Sequence, residues 1–267
     1  MSEADVVGRS VVAQTCESLM ADLANLGITK GSTLLVHSSL KAFGWVSGGA
    51  EAVLQALSAL ITSNGTIIMP SQSPGLTDPS GWEAPPVPES WFDVIRSSMP
   101  AFDPQRTPSQ GMGRIAELFR CWPDVARSNH PTSSFAAWGR YALDITKDQP
   151  LADPFGINSP LSKIYELDAQ ILLAGVGFEC CTALHFAERL AWANQERRRE
   201  GSPINIDGHR VWSWYDAPLL RTELFEDAGV FLRKKGLVRA GRVGQANCEI
   251  MSIRSAVDCV VAYWRQI

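Results

Sequence analysis

The apolar positions fall into two kinds of run, and their order predicts an α/β core. Val11, Val12, Leu19, Met20, Leu23 and Leu26 recur at mostly helical spacing and stop at Gly27, which predicts an amphipathic helix and then a turn at Lys30-Gly31-Ser32. Thr33-Leu34-Leu35-Val36 is a short unbroken apolar run, as expected of a strand buried on both faces, and the polar residues His37-Ser38-Ser39 follow it. The pattern then repeats. Glu51 to Ile61 has helical periodicity, Asn64-Gly65 turns the chain, and Thr66-Ile67-Ile68-Met69 is a second buried strand ahead of Pro70-Ser71. Strand, helix, strand predicts parallel pairing.

From Gln72 to Pro108 the periodicity is lost and prolines crowd the chain, among them Pro74, Pro79, Pro85, Pro86, Pro88, Pro100, Pro104 and Pro108. Proline lacks the donor that helix interiors and sheet ladders require, so a long ordered excursion is expected here. Beyond it, Ile115 to Phe119 predicts a helix, Ser133 to Trp138 an extended segment, Leu161 to Leu167 a helix, and Gln170 to Val176 a third buried strand. A strand pair around Asp207-Gly208, a helix from about Pro218 to Lys235, a strand from Ala246 to Ser252 and a closing helix from Arg254 complete the chain. The expected fold class is α/β, with a mixed, largely parallel central sheet flanked by helices, a C-terminal α+β portion and a long proline-rich active-site excursion. A single domain over 1–267 is expected, with a C-terminal sub-lobe from about residue 196 as the alternative division.

Composition narrows the function classes. The chain has 267 residues, 45% hydrophobic and 19% charged, which fits a globular protein and excludes disorder for most of its length. Its 24 Lys and Arg against 28 Asp and Glu leave a formal charge of -4, so nucleic acid is not an expected partner. The acidic start Ser2-Glu3-Ala4-Asp5 does not resemble a secretory leader, and no segment offers the ~20 uninterrupted apolar residues of a membrane span. The expected location is the cytoplasm. Six cysteines, with Cys180 and Cys181 adjacent and the rest scattered, form neither a zinc-ligand frame nor a disulfide scaffold.

Only four histidines occur: His37, His130, His185 and His209. His185 lies in Thr182-Ala-Leu-His185-Phe-Ala-Glu188, just beyond the third buried strand, and on a helix positions 185 and 188 are neighbours on one face. A carboxylate there fixes the imidazole tautomer and stabilises the imidazolium, as a general base near neutral pH requires. An incidental surface pair is the alternative. His37-Ser38-Ser39 ends a core strand, where backbone N–H groups and hydroxyls can meet a ligand. His130 precedes Pro131 in a loop, and His209 sits in the expected hairpin turn. Three imidazoles and Glu188 around zinc is a rival reading, but HExxH is absent, and no metal is expected. Gly-x-Ser-x-Gly, the phosphate-binding loop and the dinucleotide fingerprint are absent too.

Seven segments in this order resemble the aminoglycoside 3-N-acetyltransferase family: His37-Ser38-Ser39-Leu40, Met69-Pro70-Ser71, Gly111-Met112-Gly113-Arg114-Ile115-Ala116-Glu117, Arg127-Ser128-Asn129-His130-Pro131, Ser159-Pro160-Leu161, Tyr165-Glu166-Leu167-Asp168 and Thr182 to Glu188. The resemblance runs from about residue 10 to 265. It implies acetyl transfer from acetyl-CoA to the 3-amino group of the deoxystreptamine ring of an aminoglycoside antibiotic, hence resistance, by a monomer or homodimer. Gln110-Gly-Met-Gly113-Arg-Ile115 misses the last position of the GCN5-type CoA loop, in agreement with a different acetyltransferase fold.

The resemblance makes His185 the general base, with Glu188 or Glu223 as the carboxylate that orients it. It places the cofactor against His37, Ser38, Ser39, Lys41, Arg114 and Ser133, where donors and cations meet pantetheine, phosphates and the developing oxyanion. A polycationic substrate calls for carboxylates, and Asp78, Glu83, Asp153, Asp216 and Glu223 are the candidates. Direct attack of the amine on the thioester is expected, with a thiol relay through Cys180 or Cys181 as its mechanistic rival. A zinc hydrolase and a non-catalytic CoA- or sugar-binding module are the readings from other classes.

Overall fold

The structure, a computed structural model, describes residues 2–266. The first half of the chain runs α1 (Glu3–Arg9), α2 (Cys16–Asn25), β1 (Thr33–Ser38), α3 (Gly49–Ile61), β2 (Thr66–Pro70), α4 (Phe92–Ser98), α5 (Gly113–Arg120), β3 (Ala126–Arg127) and β4 (Phe135–Gly139). The second half runs α6 (Ala142–Thr146), α7 (Pro160–Glu166), β5 (Gln170–Ala174), α8 (Ala183–Ala191), β6 (Arg197–Ile206), β7 (His209–Pro218), α9 (Phe225–Lys234), β8 (Arg239–Val243), β9 (Ala246–Ser252) and α10 (Ile253–Trp264).

Seven strands form one sheet in the order β3-β4-β2-β1-β5-β9-β8, and β6 and β7 form a separate two-stranded ribbon. The three apolar runs of the sequence are its centre, and there the pairing is parallel: Leu34 faces Ile67 of β2, and Leu35 faces Ile171 of β5. Alternation along these strands divides the core between two faces. Leu34, Val36, Ile67, Met69, Leu172 and Ala174 pack on the side that carries α2, α3 and α5. Leu35, Ile68, Ile171 and Leu173 pack on the other side, with α7, α8, α9 and α10. Both layers being covered explains why these strands read as unbroken apolar runs.

The sheet is not largely parallel. β1 pairs parallel with β2 and β5, whereas β2–β4, β3–β4, β5–β9 and β8–β9 are antiparallel. Hairpins join β3 to β4 and, through Gly244-Gln245, β8 to β9, and a hairpin can join only antiparallel neighbours, whereas β2–β4 and β5–β9 are brought together by long connections. An apolar run records burial, not direction.

Other boundaries shift for local reasons. The first expected helix begins at Cys16, not Val11. Thr15 and Ser18 make reciprocal capping bonds there, while Val11 and Val12 stand exposed. The helix expected from Pro218 starts at Phe225, because β7 continues through Pro218 opposite Arg197. In the excursion, Gln110 N–H donates to Gln72 O and Phe102 N–H to Pro203 O, so the segment is tied to its own base and to the ribbon.

Candidate active site

A cavity of about 1330 Å³ opens at the carboxyl ends of the central strands. Ligand crevices of open α/β sheets form at this edge, where β1 has one neighbour reached through α3 and another reached much later in the chain. His37, Ser38 and Ser39 from β1 and its exit, Pro70 from β2 and Val176 after β5 contribute to its wall. The first residues of α3, α5 and α8 line it as well. None of these three helices has a side-chain cap, although at α8 the N–H groups of Leu184 and His185 bond the carbonyls of Cys181 and Thr182. Gly48, Gly111 and Gly113 hold positive φ angles of 84°, 75° and 83° at two of these entries, a region that disfavours residues with a Cβ.

His185 enters from the first turn of α8 and lines the cavity. The three-residue spacing with Glu188 does what a helix allows: His185 Nδ1 lies 2.6 Å from Glu188 Oε2. Glu188 is 0% exposed, and its second oxygen accepts the Arg221 N–H at 2.6 Å. Both carboxylate oxygens are thereby held, which fixes the face offered to the imidazole. Phe155 stacks on the His185 ring at 4.7 Å and 19°, and Phe225 leans on it at 4.8 Å and 59°. With Nδ1–H donated to Glu188, Nε2 is the basic nitrogen of the neutral ring.

His37 is also buried at this wall. Burial, assisted by the neighbouring His185, pushes its pKa down to about 3, so the ring is neutral. Ser38 and Ser39 line the cavity, but the Ser39 N–H already donates to Ala174 O at 3.0 Å. Lys41 and Arg114 are exposed at the cavity wall. Cys180 lines it too, with its thiol pushed up to about 11 by burial and Glu179; Cys181 is buried and pushed up to about 12 by burial.

The remaining sequence-predicted site residues are not brought into the cavity wall. Glu223 is exposed in the short turn Thr222–Leu224, next to the lining residue Thr222, whereas the carboxylate touching His185 is that of Glu188. Ser133 donates its N–H to His130 Nδ1 and accepts at its carbonyl from Gln149. Asp78 is bound by Arg96 at 2.7 Å and by Ser80; burial opposes its ionisation, but these partners hold its pKa below the usual carboxylate value. Asp153 pairs with Arg189 at 2.9 Å. Glu83 and Asp216 are exposed, in the excursion and on β7. The carboxylates that do line the cavity are Glu3, Glu51 and Glu179.

These three acids, together with Arg221, Phe155 and Phe225, escaped the sequence reading. Glu179 carried a usable signal, standing between the third buried strand and the His185 helix. Arg221 acts through its backbone, and the two phenylalanines arrive from distant elements. Among the described residues, no three His, Cys, Asp or Glu side chains cluster as metal ligands. No helix among them is long and apolar enough to cross a membrane.

Fold and site together describe an α/β enzyme whose cleft carries a carboxylate-oriented imidazole. A family model described as aminoglycoside 3-N-acetyltransferase matches residues 35–265. The chain is 46% identical, over 95% of its length and 93% of the relative's, to the SPbeta prophage-derived aminoglycoside N(3')-acetyltransferase-like protein YokD of Bacillus subtilis (strain 168). The crystal structure of YokD superposes with a TM-score of 0.96 over 98% of this chain and 97% of that one, at 44% identity. AAC-IIIb, solved as a binary complex with CoASH, gives a TM-score of 0.84 at 27% identity over 96% and 97% of the two chains. A mutant of AAC(3)-IVa, solved in complex with a gentamicin, gives 0.80 at 30% identity over 97% and 91%. The chain belongs to the aminoglycoside 3-N-acetyltransferase family, and it is an acetyltransferase.

Proposed function

We propose that this chain transfers acetyl from acetyl-CoA to the 3-amino group of the deoxystreptamine ring of an aminoglycoside, conferring resistance, by direct attack with His185 as general base. The observation that carries the reading is the His185–Glu188 pair at 2.6 Å in the wall of the one large cavity described, within a fold shared with family members solved with CoASH and with a gentamicin.

The residues fit the cosubstrate. Uncapped N-termini of α3 and α5 and the cations Lys41 and Arg114 supply donors and positive charge for phosphate oxygens. Glu3, Glu51 and Glu179 put negative charge where a polycation must enter, a role the Arg-paired Asp78 and Asp153 do not share.

His185 Nε2 takes a proton from the amine as its nitrogen bonds to the acyl carbon. The C–S bond then breaks, and the imidazolium returns that proton to the departing sulfur, leaving an amide and CoASH. Glu188 stabilises the transient imidazolium, and Phe155 and Phe225 keep the ring from turning away. The raised thiol pKa values of Cys180 and Cys181 work against an acyl-cysteine route at neutral pH.

A thiol-release assay with acetyl-CoA and a panel of aminoglycosides tests this reading, with NMR of the product to locate the new acetyl group. Turnover with acetylation at N3 is expected. An absence of thiol release across the panel, or acetylation confined to another amine, refutes it.

A further inference from the structure

We infer that His37 is a further catalytic residue, a neutral hydrogen-bond donor that acts through Nδ1–H on the acyl oxygen of the bound thioester. The inference deepens the proposed function and rests on it for the identity of the acyl group.

Three observations converge. First, His37 lines the same cavity as His185, and alternation along β1 puts it on the sheet face of Leu35, the face against which α8 packs. Second, its Nε2 is buried and has no hydrogen-bond partner. A neutral imidazole carries one N–H, and burying that N–H with no acceptor is costlier than burying a bare lone pair, so the proton belongs on Nδ1. Third, one of the donors first expected from the Ser38-Ser39 exit is spent, since the Ser39 N–H is bonded to Ala174 O. The oxyanion formed by attack on a thioester still needs a preplaced donor.

Neutrality suits this task. A ring that burial holds near a pKa of 3 carries no charge at neutral pH. It therefore puts no positive charge beside His185 while offering an N–H to an oxygen that gains negative charge. A neutral imidazole polarising a carbonyl beside a separate base is an arrangement enzymes use elsewhere. The two histidines thus divide the work: one moves the proton and the other steadies the oxygen.

Three substitutions separate this role from packing. Asparagine places an amide N–H near the Nδ1 position, glutamine places one near Nε2, and leucine keeps the volume without a donor. His37→Leu is expected to lower kcat about 10²–10³-fold with little change in the KM for acetyl-CoA. His37→Asn should recover most of that loss and His37→Gln much less. Equal losses in all three variants, or a loss confined to KM, would overturn the assignment.

A second measurement does not depend on turnover. The ketone analogue of acetyl-CoA, with methylene in place of the thioester sulfur and ¹³C at the carbonyl, is bound to the wild-type protein and to His37→Leu, and isotope-edited infrared spectra are recorded. The carbonyl stretch is expected to fall to lower frequency in the wild type and to return toward its solution value in the leucine variant. A stretch that is the same in both proteins sinks the inference. Because this readout requires only the cosubstrate, it stands even if the aminoglycoside panel gives no turnover, so the two failures are distinguishable.

Discussion

The start of α8 and the corner after β3 each bury a histidine, at 7% exposure for His185 and 1% for His130, yet the two rings are built for different ends. His130 spends both nitrogens on the backbone: Nδ1 accepts the N–H groups of Thr132 and Ser133, and Nε2 donates to Leu151 O. Burial pushes its pKa down to about 4, and it closes a loop as a neutral fixture. His185 gives one nitrogen to a carboxylate and turns toward a cavity large enough for a cosubstrate. Burial alone does not separate a ring free to move a proton from one that closes a loop. The partners of its two nitrogens do.

The sharpest way to break this contrast is to remove His185. His185→Ala should lower kcat by about 10²–10⁴-fold, the usual contribution of a positioned general base, while leaving CoASH affinity within a few-fold by calorimetry. Equal losses in kcat and in CoASH binding would mean that the ring holds the cosubstrate and does not move a proton.

Glu188 tests the same region one step removed. Glu188→Gln keeps the volume and an acceptor for the Arg221 N–H, but removes the charge that fixes the Nδ1–H tautomer. The expected result is a kcat lower by about 10–100-fold with a stability change of at most about 1–2 kcal/mol. The paired Glu223→Gln, at an exposed position, should change kcat far less. If the two variants reversed in rank, Glu223 and not Glu188 would be the orienting carboxylate.

At the His130 corner the readout moves from rate to stability. An imidazole held neutral when folded, but titrating near 6.5 when unfolded, makes the unfolded state the stronger proton binder in acid. Its full contribution is present above about pH 6.5 and is lost as pH falls toward about 4, amounting to about 2 kcal/mol by pH 5. His37 titrates in the same sense down to about 3, so the wild type carries both slopes. His130→Asn, which keeps an acceptor for the two N–H groups, should cost about 1–2 kcal/mol at pH 7. It should also flatten the fall in Tm between pH 7 and pH 5. An unaltered pH slope in thermal unfolding would refute the neutral assignment.

What was legible in the sequence follows from what local pattern can encode. Leu34 to Val36, Ile67 to Met69 and Ile171 to Leu173 announced the sheet's centre because strands covered on both faces are apolar at every position. The His185–Glu188 pair was legible because three residues on a helix is a fixed distance. β8 was missed, since Arg239-Ala240-Gly241-Arg242 is largely exposed at the sheet's edge and has no apolar run to betray it. The acids of the excursion and of the loop before α7 were read as substrate ligands because sequence shows a carboxylate but not its counterion. Arg96 lies 18 residues from Asp78, and Arg189 lies 36 from Asp153. Phe155 and Phe225, which clamp His185, come from opposite sides of it in the chain and no spacing rule links them.

The smallest expected effect concerns the cysteines that precede His185 at the cavity. Cys180 lines the cavity beside Glu179, and Cys181 is buried just ahead of α8, so their position alone suits an acyl relay. Their chemistry does not. Thiols at about 11 and about 12 leave about one part in 10⁴ or less as thiolate at pH 7, and no cation among the causes of either shift lowers them. Cys180→Ala and Cys181→Ala, singly and together, should therefore keep kcat within about threefold of the wild type, with a modest fall in Tm from the buried Cys181 site. Mass spectrometry after mixing with acetyl-CoA alone should find no added acetyl on either residue. An acetylated cysteine that forms and decays at the rate of turnover would move the nucleophile from the sugar amine to sulfur, and would reduce His185 to the partner of a thiol.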